Sequence, residues 1–231
     1  MPASGASVIS QGFGSPFLDG LEQRDVEAIL RAATKQRFPA KSTVYVQGDP
    51  ASHLFLMMHG DARYFYTTPE GRKMLGPRIL PGEVFGGAVF SLRPSPTYLS
   101  STETVKDCSV VVWKRSTIRA LGARHPRLLE NMLAIAFDLI EWVYTAHIGL
   151  ACHSARLRLA MALVELAHDV GHKSTAGVEL EVTNEDLANS ANVTVFTASR
   201  LLSEWHRSGA LIKSRGKVRL RSPERLFFRE T

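Results

Sequence analysis

The stretch "NVTVFTASRLLSEW", Asn192 to Trp205, decides the fold of this 231-residue chain. Val193, Ala198, Leu201 and Leu202 fall near one helical face, the stripe a helix turns toward a core. Val195, Phe196, Ser199 and Arg200 fall elsewhere, so the first turns present a Phe and an Arg outward. Upstream, Thr183 is a good N-cap for "NEDLANSA", with Asp186 three residues on as a weak capping box. Asn192 stands where the chain must turn sharply, and Asn tolerates the left-handed conformation. Thr194 can cap the helix "VFTASRLLSEWHRSG". Downstream, the strand "ALIKS", a tight turn at Arg215–Gly216 and the strand "KVRLR" make a hairpin.

Two helices joined by a tight turn and followed by a small β-hairpin form a winged helix-turn-helix, whose second helix normally lies in the DNA major groove. Leu187, Ala191, Val193, Ala198 and Leu201 are expected inside, with Ala188 where the helices approach closely. Arg200 can pair with guanine O6 and N7, and Ser199 can bond several bases. Val195 and Phe196 offer only apolar contact, most naturally to thymine methyls. Thr194, Thr197, Lys213, Arg215 and Lys217 suit phosphates, which orient without reading sequence. Two structural alternatives stand beside these roles: an ion pair of Arg200 with Glu204 four residues on, and packing of Phe196 beneath the wing.

Charge supports the same end of the chain. From Arg200 to Arg229 nine basic residues (Arg200, Arg207, Lys213, Arg215, Lys217, Arg219, Arg221, Arg225, Arg229) face only Glu204 and Glu224, which exceeds the whole chain's formal charge of +6. A solvated face is the bland reading of such a run, and a polyanionic partner the sharper one.

Residues 1–20 read as a flexible tail, without the basic start and apolar block of a signal peptide. "DGLEQRDVEAILRAATKQRF" has helical spacing. Gly48, Gly60, Gly71 and Gly82 then recur at intervals of eleven or twelve residues between short strand-like runs, "STVYV", "HLFLMM", "ARYFYTT" and "KMLGPRIL". This pattern predicts an antiparallel sandwich or barrel over residues 21–115. Residues 116–151 form a helical region with a narrow seam at Leu129, Met132, Ala136, Leu139, Val143, Ala146 and Leu150, predicting a two-helix pairing between subunits. Residues 152–231 are the winged head, and the whole is α+β. No apolar run approaches the ~20 residues that span a bilayer. Cys108 and Cys152, far apart and in no metal spacing, suit a reducing, cytoplasmic setting.

The order β-roll, long helix, winged helix-turn-helix resembles the cyclic-AMP receptor protein/fumarate-nitrate reduction regulator (CRP/FNR) family of bacterial transcription factors. The resemblance rests on "LPGEVFGG" (Leu80–Gly87), "ARLRLAMALVELA" (Ala155–Ala167) and "LANSANVTVFTASRLLSEWHRSGAL" (Leu187–Leu211). It implies a jelly-roll cyclic-nucleotide-binding-like sensor, a homodimer on two-fold symmetric double-stranded DNA, and RNA polymerase as a partner. Ser199 and Arg200 match the FNR-type recognition helix, but Phe196 stands where that helix carries Glu.

In cyclic-AMP-binding members a Gly-Glu pair holds the ribose, and an Arg-Ser pair about ten residues later holds the phosphate. Here the expected pocket consists of Gly86, Gly87, Ala88, Val89, Tyr98 and Leu99, with Val143 and Tyr144 from the helix. Gly87 takes the Glu position and Tyr98–Leu99 roughly that of Arg-Ser, so cyclic AMP is not expected; Arg93 reaches the phosphate position only by a one-gap realignment. The first hundred residues contain no Cys for an iron–sulfur cluster. Haem stays open through His53, His59, His125, His147, His153 and Pro2. A thiol switch at Cys108 or Cys152 needs exposure and a low pKa; Cys108, in an apolar strand, reads as inert. A cupin-like metalloenzyme needs clustered His and carboxylates, yet no His-x-His pair occurs. No nucleophile–base motif or phosphate-cradling Gly loop is present, so no cofactor, no metal and no enzymatic activity are expected.

Overall fold

The computed structural model describes residues 14–71 and 73–227. Arg72, Pro2, Arg229 and the first thirteen residues of the expected tail lie outside them. The chain forms two compact units, dividing within a long helix after Trp142.

In the first unit, α1 (Gln23–Arg31) precedes eight strands: β1 (Thr34–Phe38), β2 (Thr43–Tyr45), β3 (His53–His59), β4 (Ala62–Thr67), β5 (Lys73–Ile79), β6 (Val84–Phe85), β7 (Ser101–Thr104) and β8 (Cys108–Lys114). They pair in two four-stranded sheets, ordered β1-β8-β3-β6 and β2-β7-β4-β5. The glycine turns explain the layout. Gly60 has φ +94°, and a Cβ there would sit 2.3 Å from the Asp107 carbonyl oxygen, so neither backbone nor space admits another residue. β3 and β8 are buried on both faces: Phe55 and Phe85 lie against Tyr45 of the other sheet, while Trp113, paired opposite Leu54, faces away from it, packs on Phe17 and donates its indole N–H to the Ile29 carbonyl. Asp61, buried beside Cys108, is satisfied by the guanidinium of Arg78.

Two expectations change here. "TKQRF" is not helical: it forms β1 and pairs with β8 from Thr34↔Val112 to Phe38↔Cys108. Its polar residues lie exposed while its backbone completes the sheet. The last part of the expected tail is not loose either. Phe17 is 0% exposed and its ring lies 6.2 Å from that of Trp113. Asn131 Nδ2 donates to the carbonyls of Phe17 (3.0 Å) and Asp19 (2.8 Å), and Ser15 Oγ to that of Gly82 (2.7 Å).

After α2 (Arg115–Arg124), α3 (Pro126–Cys152) runs for 27 residues. Its mean hydropathy reaches 1.3, long and apolar enough by length and composition to cross a bilayer, against the expectation of no such run. Two faces account for this. Leu128, Met132 and Ile135 pack on the roll's core. Leu133, Phe137, Ile140 and Tyr144, at spacings of four, three and four, are the most exposed apolar side chains of the helix, Phe137 at 61%. Of the expected seam, Met132 faces inward, Leu129 packs against Gly122 of α2, and Leu139, Val143 and Leu150 are less exposed than this stripe. Ala136 and Ala146 are partly buried.

The second unit contains α4 (Ala155–Val170), β9 (His172–Ser174), β10 (Gly177–Glu181), α5 (Asn184–Ser190), α6 (Val195–Arg207), β11 (Leu211–Ser214) and β12 (Lys217–Leu220). One sheet, ordered β11-β12-β10-β9, backs the helices. Leu159, Leu163, Leu187, Ala188, Ala198, Leu202 and Trp205 form its core.

Candidate nucleic-acid interface

Local chemistry sets the two central helices. Thr183 and Asp186 close a reciprocal capping box on α5, with Asp186 N donating to Thr183 Oγ1 (3.0 Å) and Thr183 N to Asp186 Oδ2 (3.3 Å). Asn192 then takes φ +50°. Thr194 Oγ1 accepts from Thr197 N (3.1 Å) and starts α6. Leu187, Ala191, Ala198 and Leu201 are buried, with Val193 packed against them, as the spacing predicts.

That packing leaves a particular outer face. Phe196 is 78% exposed, which rules out burial beneath the wing; Val195 is exposed beside it. Arg200 is exposed and makes the i,i+4 ion pair expected with Glu204, its Nη1 3.7 Å from Oε2, an ion-pair distance too long for a hydrogen bond. The other oxygen of the same carboxylate, Glu204 Oε1, is held more closely, at 2.5 Å, by Arg156 Nη1 of α4. Ser199 and Thr197 are half-buried on the same helix, and Thr194 is exposed.

On the wing, Arg215 is exposed at the turn and Lys213 half-buried. Lys217 is engaged: its Nζ lies 2.9 Å from Glu179 Oε1 and 3.4 Å from Glu181 Oε1. Arg219 Nη2 donates to the other Glu179 oxygen at 2.5 Å. These partners hold the Glu179 carboxyl down at about 2 and push the Lys217 ammonium up. Arg158, also missed by the sequence reading, donates to three carbonyls: His153 (2.8 Å), Ala191 (3.0 Å) and Asn192 (3.2 Å).

The expected effector residues are brought together only in part: Gly86–Val89 are consecutive and Gly86 lies against the Tyr98 ring, a Cβ there coming within 3.4 Å of it. Val89 is buried, and Ala88 is half-buried. Gly86 has φ +82°, and a Cβ on Gly87 would come within 3.2 Å of Met132 Cε. Tyr98 is buried, stacked 3.9 Å from Tyr45, and its hydroxyl donates to the His53 carbonyl (2.9 Å). Phe55 and Phe85 extend this aromatic group. Leu99, at 79% exposure, faces away, and Val143 and Tyr144 are exposed on α3.

Among the described residues no group of three His, Cys, Asp or Glu is placed to hold a metal. His53 Nδ1 meets Ser52 Oγ (2.8 Å), and His125 Nδ1 lies 3.5 Å from Asp25. Cys108 is buried; burial pushes its thiol up, as an inert cysteine requires, whereas Cys152 is exposed.

The profile of the cyclic nucleotide-binding domain matches residues 35–125, and that of the Crp-like helix-turn-helix domain matches residues 157–227. The chain belongs to the CRP/FNR family of transcription regulators. Among CRP/FNR relatives, the "Cyclic AMP receptor protein" of Thermus thermophilus is 26% identical over 208 residues, covering 90% of this chain and 93% of its own. The "Nitrogen fixation regulation protein FixK" of Azorhizobium caulinodans is 23% identical over 210 residues, covering 90% and 80%. The c-di-GMP-responsive regulator CLP of Xanthomonas campestris shares the fold with a TM-score of 0.78 at 20% identity, over 86% of this chain and 99% of that one. As a CRP/FNR protein, the chain is a DNA-binding transcription regulator.

Proposed function

We propose that the protein is a homodimer that reads a two-fold symmetric operator in duplex DNA and does so without cyclic AMP. The observation that carries this reading is the outer face of α6, where Phe196 and Val195 present apolar surface and Arg200 a guanidinium not held by hydrogen bonding to Glu204. Arg200 specifies a guanine and Phe196 a thymine methyl, while Thr194, Thr197, Lys213 and Arg215 hold phosphates. Ser199 adds a weakly selective bond. Lys217 joins the phosphates only by leaving its two glutamates.

The exposed stripe Leu133–Phe137–Ile140–Tyr144 supplies the surface for the second copy. An apolar helix face left in water is costly, and two such faces bury each other. A dimer so formed sets two reading helices about one DNA turn apart. We place it in the cytoplasm with RNA polymerase as its partner.

The roll does not fit a cyclic nucleotide. Gly87 brings no carboxylate to a ribose, and Tyr98, stacked and hydrogen-bonded, brings no cation to a phosphate. A buried phosphodiester without a charged partner is strongly disfavoured. The rings of Tyr45, Phe55, Phe85 and Tyr98 stack on one another where the expected pocket residues Gly86 and Tyr98 lie. We take this regulator to act as an effector-independent dimer, with neither haem nor metal.

The test is selection of bound sites from random duplex DNA by the purified protein, with no additive and at one stated salt concentration. Enrichment of a symmetric site is expected. Weak, sequence-blind binding that becomes selective on adding cyclic AMP, or a haem absorption band or stoichiometric metal in the purified protein, overturns the effector-independent reading.

A further inference from the structure

Within the reading of α6 as a DNA-reading helix, on which this inference rests, one contact is unexplained by fold or function. Glu204 lies on the helix that carries Arg200, four residues on, where its carboxylate is able to claim the guanidinium that the DNA needs. The two form only a loose ion pair at 3.7 Å, without a hydrogen bond, whereas Arg156 Nη1 sits 2.5 Å from the other carboxylate oxygen. Arg156 belongs to the first turn of α4, behind the Ser154 cap, and its guanidinium also lies 5.3 Å from the centre of the buried Trp205 ring. Its side chain is only 16% exposed, so it is not itself a phosphate contact.

We propose that Arg156 is a specificity-positioning residue: it keeps the ion pair of Glu204 with Arg200 loose, short of a hydrogen bond, and so keeps the Arg200 fork available for a base edge. The competition is one of charge. A carboxylate bonded to a fixed, poorly solvated guanidinium has little left to gain from a second, exposed one. Arg preceding Glu by four residues is also the weaker orientation of a helical ion pair. Removing Arg156 leaves Arg200 as the near cation of Glu204. The pair closes, and binding guanine then requires breaking it.

The experiment compares wild type, Arg156→Met, Glu204→Gln and the double variant on the selected operator and on the same site with the Arg200 base pair replaced. For Arg156→Met, the affinity ratio between the two sites falls about tenfold, within the range of one bidentate base contact. The slope of affinity against salt stays unchanged, because no phosphate contact is lost. Glu204→Gln alone keeps the ratio within about twofold, and the double variant recovers it to within about threefold, since the competing charge is gone. Arg156→Lys, which keeps the charge but not the fork, loses less than Arg156→Met. A double variant as unselective as Arg156→Met, or equal loss for the Lys and Met variants, reduces Arg156 to a brace between helices and overturns the proposal. A wild-type protein that selects no sequence overturns the reading of α6 itself, and this inference with it.

Discussion

The guanidinium of Arg158 donates to the carbonyl of Asn192 at 3.2 Å, on the residue whose φ of +50° turns the chain into the reading helix. The same group donates to the carbonyls of Ala191 and of His153, the residue between the end of α3 and the start of α4. One side chain therefore binds the turn before α6 to the segment that leads into the head.

Arg158→Met strips all three carbonyls of their donor. The expected cost is about 2–3 kcal/mol, the range for leaving poorly solvated acceptors unmet. Chemical denaturation should show it, with DNA affinity falling on specific and random duplexes alike. Retained stability would mean that water replaces the guanidinium.

At Asn192 the backbone is the constraint. Asn192→Gly is expected to be near neutral, whereas Asn192→Val costs about 1–2 kcal/mol for a β-branched residue in the left-handed region. Similar melting of the two variants would contradict a conformational role.

Phe196→Glu restores a hydrogen-bond acceptor to the outer face of α6. Cytosine N4 and adenine N6 then become partners, and the thymine preference beneath this position is lost. Site selection with the variant should change one base pair in each half-site and leave the Arg200 position alone.

Phe137→Glu places a charge in the exposed stripe of α3. Sedimentation should show a monomer with an intact fold. Operator affinity should fall by about hundredfold, since two linked half-site contacts become independent. A monomeric wild type, or a dimeric Phe137→Glu, removes the stripe from the interface.

Glu179 makes the wing pH-sensitive. Lys217 first, and Arg219 beside it, hold its carboxyl at about 2 in the folded chain, against about 4.3 in an unfolded one. The depressed value lies on the folded side, so the stabilisation from this pairing is fully present above pH ~4.3 and is lost as pH falls toward 2. Carboxyl NMR titration reads the midpoint directly. Glu179→Gln removes the pH effect, and the double variant Glu179→Gln/Glu181→Gln frees Lys217 from both partners, so its affinity for random DNA should rise and its salt slope should steepen by about one.

The head was legible in sequence because its signals are local. Thr183 with Asp186, Asn192 and Thr194 each act within three or four residues, and small Ala188 marks the helix approach. The glycine turns declared the roll in the same way. What failed to show depends on partners distant in the chain. "TKQRF" became β1 because β8, far along the chain, needed an edge. The hairpin of β9 and β10 was overlooked although Val178, Leu180 and Val182 alternate after Gly177. Lys217 looked available because register alone brings it opposite Glu181, with Glu179 opposite Arg219. The phase of α3 is ambiguous for another reason. A helix apolar on two sides offers more than one series of three-and-four spacings, and Met132 belongs to the inner one.

The segment around Phe17 sets a timetable for synthesis. It is made well before Asn131, which ties down the Phe17 and Asp19 carbonyls and follows them by 114 and 112 residues. At ordinary elongation rates that gap lasts about ten seconds. Until it closes, a large aromatic side chain bound for the interior stays in water and the sensor's core is incomplete. The nascent sensor is therefore most open to chaperones, and to misassembly between neighbouring chains, during the interval before α3 emerges.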